Sequence, residues 1–139
     1  MHYVGDWQLI PELSLYANGV PPTAGRYTIT QSAGGALILE VSWRMPGDHT
    51  DRIIRFGGPA DGSRIAMPPA DVGPDAFTLM PVDEHTLDSA AYRGQHRVAY
   101  ARRVVSQDHA LLAVVQETVA TTRCDIESTA SSGSLMRCG

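Results

Sequence analysis

The chain has 139 residues, 43% hydrophobic and 19% charged, which fits one folded domain and excludes both a tandem array and a disordered chain. Lys+Arg is 11 against Asp+Glu 15, a formal net charge of −4, so a general phosphate-binding surface, and with it a nucleic-acid partner, is not expected. Thirteen glycines and nine prolines punctuate the chain like a turn-rich all-β domain rather than a helix bundle.

Gly5 to Ile10 reads as a strand stopped by Pro11, with Trp7 and Leu9 on one face. Glu12 to Asn18 reads as a short helix or irregular cover, closed by Gly19, Pro21 and Pro22. Arg26 to Gln31 alternates, with Tyr27 and Ile29 opposite Arg26, Thr28 and Thr30. Ala33-Gly34-Gly35 turns this strand into Ala36 to Arg44, and the two form a hairpin. The second strand sets Leu37, Leu39, Val41 and Trp43 on one face and Glu40 and Ser42 on the other. Asp51 to Phe56 gives a strand with Ile53 opposite Ile54 and Phe56.

Ser63 to Met67 is a weak strand ended by Pro68 and Pro69, and Ala76 to Val82 carries Phe77 and Leu79 opposite Thr78 and Met80. Thr86 to Tyr92 and Gln95 to Val105 pair across Arg93-Gly94. Ala110 to Val119 is a strong Leu- and Val-rich strand, and Thr121 to Ile126 is a candidate for one more. Ser128 to Ser134 is rich in small polar residues, so 128–139 reads as a mobile tail. Strands about 8–12 residues apart, joined by tight turns, predict an antiparallel up-and-down β-barrel of about eight to ten strands. A sandwich has the same spacing, but a meander of hairpins favours the barrel, because closure removes exposed edges, and 1–139 is read as one such domain.

Gly5-Asp6-Trp7 is a G-x-W pattern on the first strand of a meander. In that place it resembles the calycin superfamily of lipocalins and fatty-acid-binding proteins. The stretch from Gly5 to Tyr16, Thr86 to Tyr92, and Val98 to Val105 are similar to a bacterial lipocalin-like group of poorly defined function. The similarity spans roughly residues 3 to 119. It implies that Gly5 and Trp7 are structural, with Trp7 plugging the closed end of the barrel under a late arginine, either Arg123 or Arg137. It also implies a small apolar ligand.

The apolar stripe ending at Trp43 makes Leu39, Val41 and Trp43 candidate cavity walls. Tyr100 and Arg102 share a strand face with Val98 and Val104, while Ala99, Ala101, Arg103 and Val105 face the other way. If the Tyr100 face points outward, Arg102 sits in a surface ion pair, the favoured reading; if it points inward, Arg102 needs a partner, because a lone buried charge costs several kcal/mol. Glu117 on the following strand is the expected partner, with an acidic ligand as the alternative. Fatty-acid-binding proteins use an Arg-x-Tyr arrangement on a late strand; here the order is reversed.

The five histidines, His2, His49, His85, His96 and His109, show no H-x-H or HExxH spacing, so a metal site would require distant residues to converge. The glycine-rich signature of haem-binding nitrobindin-like barrels is absent, and no cofactor or metal is expected. Cys124 and Cys138 form no CxxC pair. With no apolar run of about 20 residues and no basic-then-apolar leader, a cytoplasmic chain with free thiols and no membrane span is expected.

The leading functional expectation is binding of a small, mostly hydrophobic molecule inside the barrel. An enzyme on the same barrel, an isomerase, cyclase or hydrolase-like activity on a hydrophobic substrate, is the alternative. Tyr100, Arg102, Glu117 and His96 are the only polar set available to it. A barrel filled by its own side chains and serving a structural or interaction role is the third.

Overall fold

Leu37, Leu39 and Val41 recur at every second position because a strand turns alternate side chains to one face. In the computed structural model of the chain that strand is one of ten in a single antiparallel sheet. The structure describes residues 1–16, 20–121 and 127–138. The strands are β1 (Gly5–Leu9), β2 (Ala24–Gln31), β3 (Leu37–Arg44), β4 (Arg52–Gly58) and β5 (Ile65–Ala66), then β6 (Ala76–Pro81), β7 (Thr86–Arg93), β8 (His96–Val105), β9 (Leu111–Thr121) and β10 (Glu127–Cys138). Their order across the sheet is β4-β3-β2-β1-β10-β9-β8-β7-β6-β5. Every strand lies beside its chain neighbours except β4 and β5, which are the two edges, and β10 returns to pair with β1. The result is an up-and-down barrel, nearly closed.

The seam between β4 and β5 lacks ladder hydrogen bonds, and side chains span it instead. Phe56 of β4 meets Phe77 of β6 edge to face, with ring centroids 5.5 Å apart, a favoured aromatic geometry. Ile65 of β5 lies over Gly58 of β4. A Cβ at Gly58 would sit 2.6 Å from Ile65 Cδ1, so a larger residue there would displace the tip of Ile65.

One end of the barrel is packed solid. Tyr3, Ile29, Leu37, Leu39, Leu79, Leu87 and Leu112 are fully buried there, with Trp7 and Val105 almost so. Trp7 Nε1 donates to the Tyr3 carbonyl at 3.0 Å, which satisfies the one polar atom of a buried indole. Trp7 and Leu9 of β1 and Leu37 and Leu39 of β3 all face the interior, the register expected from the alternation.

The cover after β1 is a single 3₁₀ turn, Pro11–Leu13. Proline presets that turn, but Ser14 returns to extended backbone and its hydroxyl donates to the Ile10 carbonyl, which ends it. Ala17, Asn18 and Gly19 lie outside the described residues.

The expected mobile tail is instead strand β10. It pairs with β9 from Glu127↔Thr121 to Arg137↔Leu111, and with β1 at Trp7↔Cys138 and Leu9↔Met136. Two sheet edges, each offering unpaired N–H and C=O groups, hold this polar segment through its backbone, which needs no apolar side-chain pattern. Of the extra strand sought at Thr121 to Ile126, Thr121 ends β9 and 122–126 lie outside the described residues.

Cys138 is exposed and unbridged, and Cys124 is outside the described set. Among the described residues no helix is long and apolar enough to cross a membrane.

Candidate functional site

Away from the packed end the interior opens, because the β7–β8 hairpin turns small side chains inward. Ser89 and Ala91 of β7 stand opposite Ala101 and Ala99 of β8, and together they leave a cavity of about 490 Å³. Ile54 and Phe56 of β4, Phe77 of β6 and Met67 wall the other side. Ile54 is 49% exposed although its strand face is internal. A second space of about 230 Å³ shares Ile54 and Gln116 with the first and is lined by Tyr27, Val41 and Trp43.

Arg103 closes the floor. It is 2% exposed and sits at the boundary between cavity and packed core. Its Nε donates to the Tyr27 hydroxyl at 2.8 Å and its Nη1 to Ser89 Oγ at 2.9 Å. Both acceptors are neutral. No carboxylate lies within ion-pair distance of Arg103 among the described residues. The guanidinium carbon also stands 5.3 Å from the Tyr27 ring centroid, within cation–π range. A buried charge is thus held by two hydroxyls and an aromatic ring, beside an apolar space.

Arg102 takes the outward surface ion pair rather than the inward pair with Glu117. Arg102 faces outward and grips Asp88 of β7 through two bonds of 2.8 Å; its side chain is 48% exposed. The Tyr100 hydroxyl donates to the same carboxylate at 3.0 Å. The Arg102 bond, helped by Tyr100, holds the Asp88 carboxyl below the usual aspartate range against the opposing effect of its burial. Burial, then Asp88, pushes the Tyr100 phenol up. Glu117 is exposed and stands across from Tyr100, and the β9 residue opposite Arg102 is Val115. Tyr100 and Glu117 contribute to the cavity lining, but the Arg102–Glu117 pair does not form.

The cause is one residue. Arg93 pairs with His96 and Tyr92 with Arg97, but Ala91 then pairs with Ala99, so Val98 is an extra residue in a β-bulge. Counted from the turn without it, inward Leu87 would face Arg102. With it, Leu87 faces Arg103. A one-residue shift exchanges the two faces of a strand.

The other candidates divide between core and cavity. Leu39 is fully buried in the packed end, while Val41 and Trp43 line the smaller space. Trp7 is buried and Gly5 pairs with Ile29. Arg137 is exposed and lies opposite Gln8, so it does not cover Trp7, and Arg123 is outside the described residues. His96 is exposed beside the Arg93-Gly94 turn. Arg103, Tyr27, Ser89 and Gln116 are the polar cavity groups that strand alternation alone did not single out.

Neither the models of known protein families nor the curated protein sequences give a match to this chain.

Proposed function

We propose that the barrel binds a small, mostly apolar molecule in the cavity between β4, β6, β7, β8 and β9, with an acidic or other acceptor group directed at Arg103. The observation that carries this reading is a buried guanidinium without a carboxylate partner among the described residues, at the floor of an apolar space of about 490 Å³. That volume lies in the range of small-molecule sites, which pair apolar walls with a few placed polar groups. Arg103 Nη2 has no protein acceptor among the described residues, and a ligand carboxylate would give it a charge-assisted one. The G-x-W pattern on β1 and the lipocalin-like meander favour the same reading, in a cytoplasmic setting.

Native mass spectrometry of freshly purified protein, followed by displacement of an environment-sensitive apolar dye, tests it. The expected outcome is a co-purified or displaceable ligand, with a fatty acid competing better than the alcohol of equal length. A barrel that neither carries a ligand nor takes up the dye overturns the proposal.

A further inference from the structure

Three histidines far apart in sequence meet at the packed end of the barrel, outside the cavity. His2 precedes β1, His85 ends the turn between β6 and β7, and His109 ends the turn between β8 and β9. Each offers one ring nitrogen, and these three atoms lie within 4.8 Å of one another. The rings of His2 and His109 stack with centroids 3.9 Å apart, and the His2 and His85 centroids are 4.5 Å apart.

Each histidine is anchored by its backbone. His2 N–H donates to the Glu84 carbonyl at 2.8 Å. His85 N–H donates to Asp83 Oδ1 at 2.8 Å, and the His85 carbonyl accepts from Val105 N–H at 2.9 Å. His109 N–H donates to the Ser106 carbonyl at 3.0 Å, with its own φ at +59°. That left-handed conformation is uncommon for a residue with a Cβ, and it carries the imidazole back over His2.

We infer that His2, His85 and His109 form a binding site for a borderline divalent transition cation of the zinc class. Imidazole nitrogen suits such ions, and three histidines with an open fourth position form a known zinc donor set. His85 Nδ1 lies 3.2 Å from the Val105 carbonyl. A proton on Nδ1 makes that contact a hydrogen bond and leaves the Nε2 lone pair free, the arrangement by which outer partners orient metal-ligating histidines. Glu84 Oε2, 3.8 Å from His2 Nε2, supplies negative charge beside the cluster. Zinc–nitrogen bonds of about 2.0–2.1 Å require the ring nitrogens to converge while the stacked His2 and His109 rings splay apart, and the exposed His109 has room to turn.

The test uses the untagged full chain and zinc chloride, with binding read by titration calorimetry at neutral pH. The expected result is one zinc per chain, with affinity reduced roughly tenfold or more in His2→Ala, His85→Ala and His109→Asn. The last keeps a residue that tolerates the left-handed backbone. His49→Ala and His96→Ala, which lie outside the cluster, should bind as the wild type does. Zinc should also raise the thermal unfolding midpoint of the wild type and leave that of His109→Asn unchanged, so a folded variant remains informative. Absence of one-equivalent binding, equal affinity in the cluster variants, or equal loss in His49→Ala overturns the site.

Discussion

Replacing Arg103 by methionine separates the two roles that its position combines. Methionine fills much of the same volume and brings no charge. The substitution removes the several kcal/mol that desolvation of a buried ion costs. It also removes two hydrogen bonds, to Tyr27 and Ser89, each worth about 1.5–3 kcal/mol when one partner is charged. These effects oppose each other, so stability in urea should change by less than about 2 kcal/mol either way. Ligand preference should change much more. A charge-assisted bond from Arg103 to a carboxylate, about 1.5–3 kcal/mol, corresponds to roughly 10- to 150-fold in affinity. The assay is dye displacement by a fatty acid and the alcohol of equal length, in wild type and Arg103→Met. The acid preference should vanish in the variant while the alcohol binds much as before. An unchanged acid preference would refute the reasoning, and so would a stability loss well above 3 kcal/mol, which would mark Arg103 as a structural pillar of the core.

The remaining expectations concern the fold around the site. Leu39→Ala removes a fully buried side chain from the packed end and should cost about 2–5 kcal/mol in urea unfolding; a near-silent result would remove Leu39 from the core. Arg102→Met should leave the acid-to-alcohol ratio intact, because Arg102 faces outward, and loss of that ratio would return Arg102 to the site. The same variant should alter the acid limb of stability. The folded-state pKa of Asp88 is lowered chiefly by Arg102, so its stabilisation is full above its ordinary value, about 4, and is lost as pH falls through the lowered one. Without Arg102 that acid loss should be smaller, because the folded pKa moves back toward the ordinary one, and an identical fall of the urea midpoint with acidic pH in both proteins would contradict the assignment. Deleting Val98 removes the bulge and should drive Arg102 inward or break the β7–β8 pairing, with cooperative unfolding lost or its midpoint sharply reduced. A deletion variant as stable as the wild type would show that the bulge does not set the register.

The barrel was legible because its signals were local. Leu37, Leu39 and Val41 alternate through a whole strand, and Gly34-Gly35 and Arg93-Gly94 mark hairpins that the structure contains. Strand β10 was illegible for the opposite reason. Ser128, Ser131, Ser132 and Ser134 carry no alternation, and β9 and β1 hold the segment through backbone pairing. Such pairing depends on which edges remain free once the rest of the sheet has formed.

The cavity's polar floor sits between these cases. Beyond the bulge each face of β8 carries one arginine, Arg102 or Arg103, and a mixture of small and apolar residues, so alternation alone cannot choose between them. Asp88 is the residue that could have decided it. An aspartate on β7 paired across from Arg102 provides an outward partner, whereas among the described residues no carboxylate lies within ion-pair distance of Arg103. Reading the pair required the bulge at Val98, and a bulge without glycine leaves little trace in composition. The histidine cluster was harder still, because three turns distant in the chain gather at one end only after the barrel has closed. Spacing rules find metal sites whose ligands lie on one element. They miss those built by topology, and His2, His85 and His109 belong to the second kind.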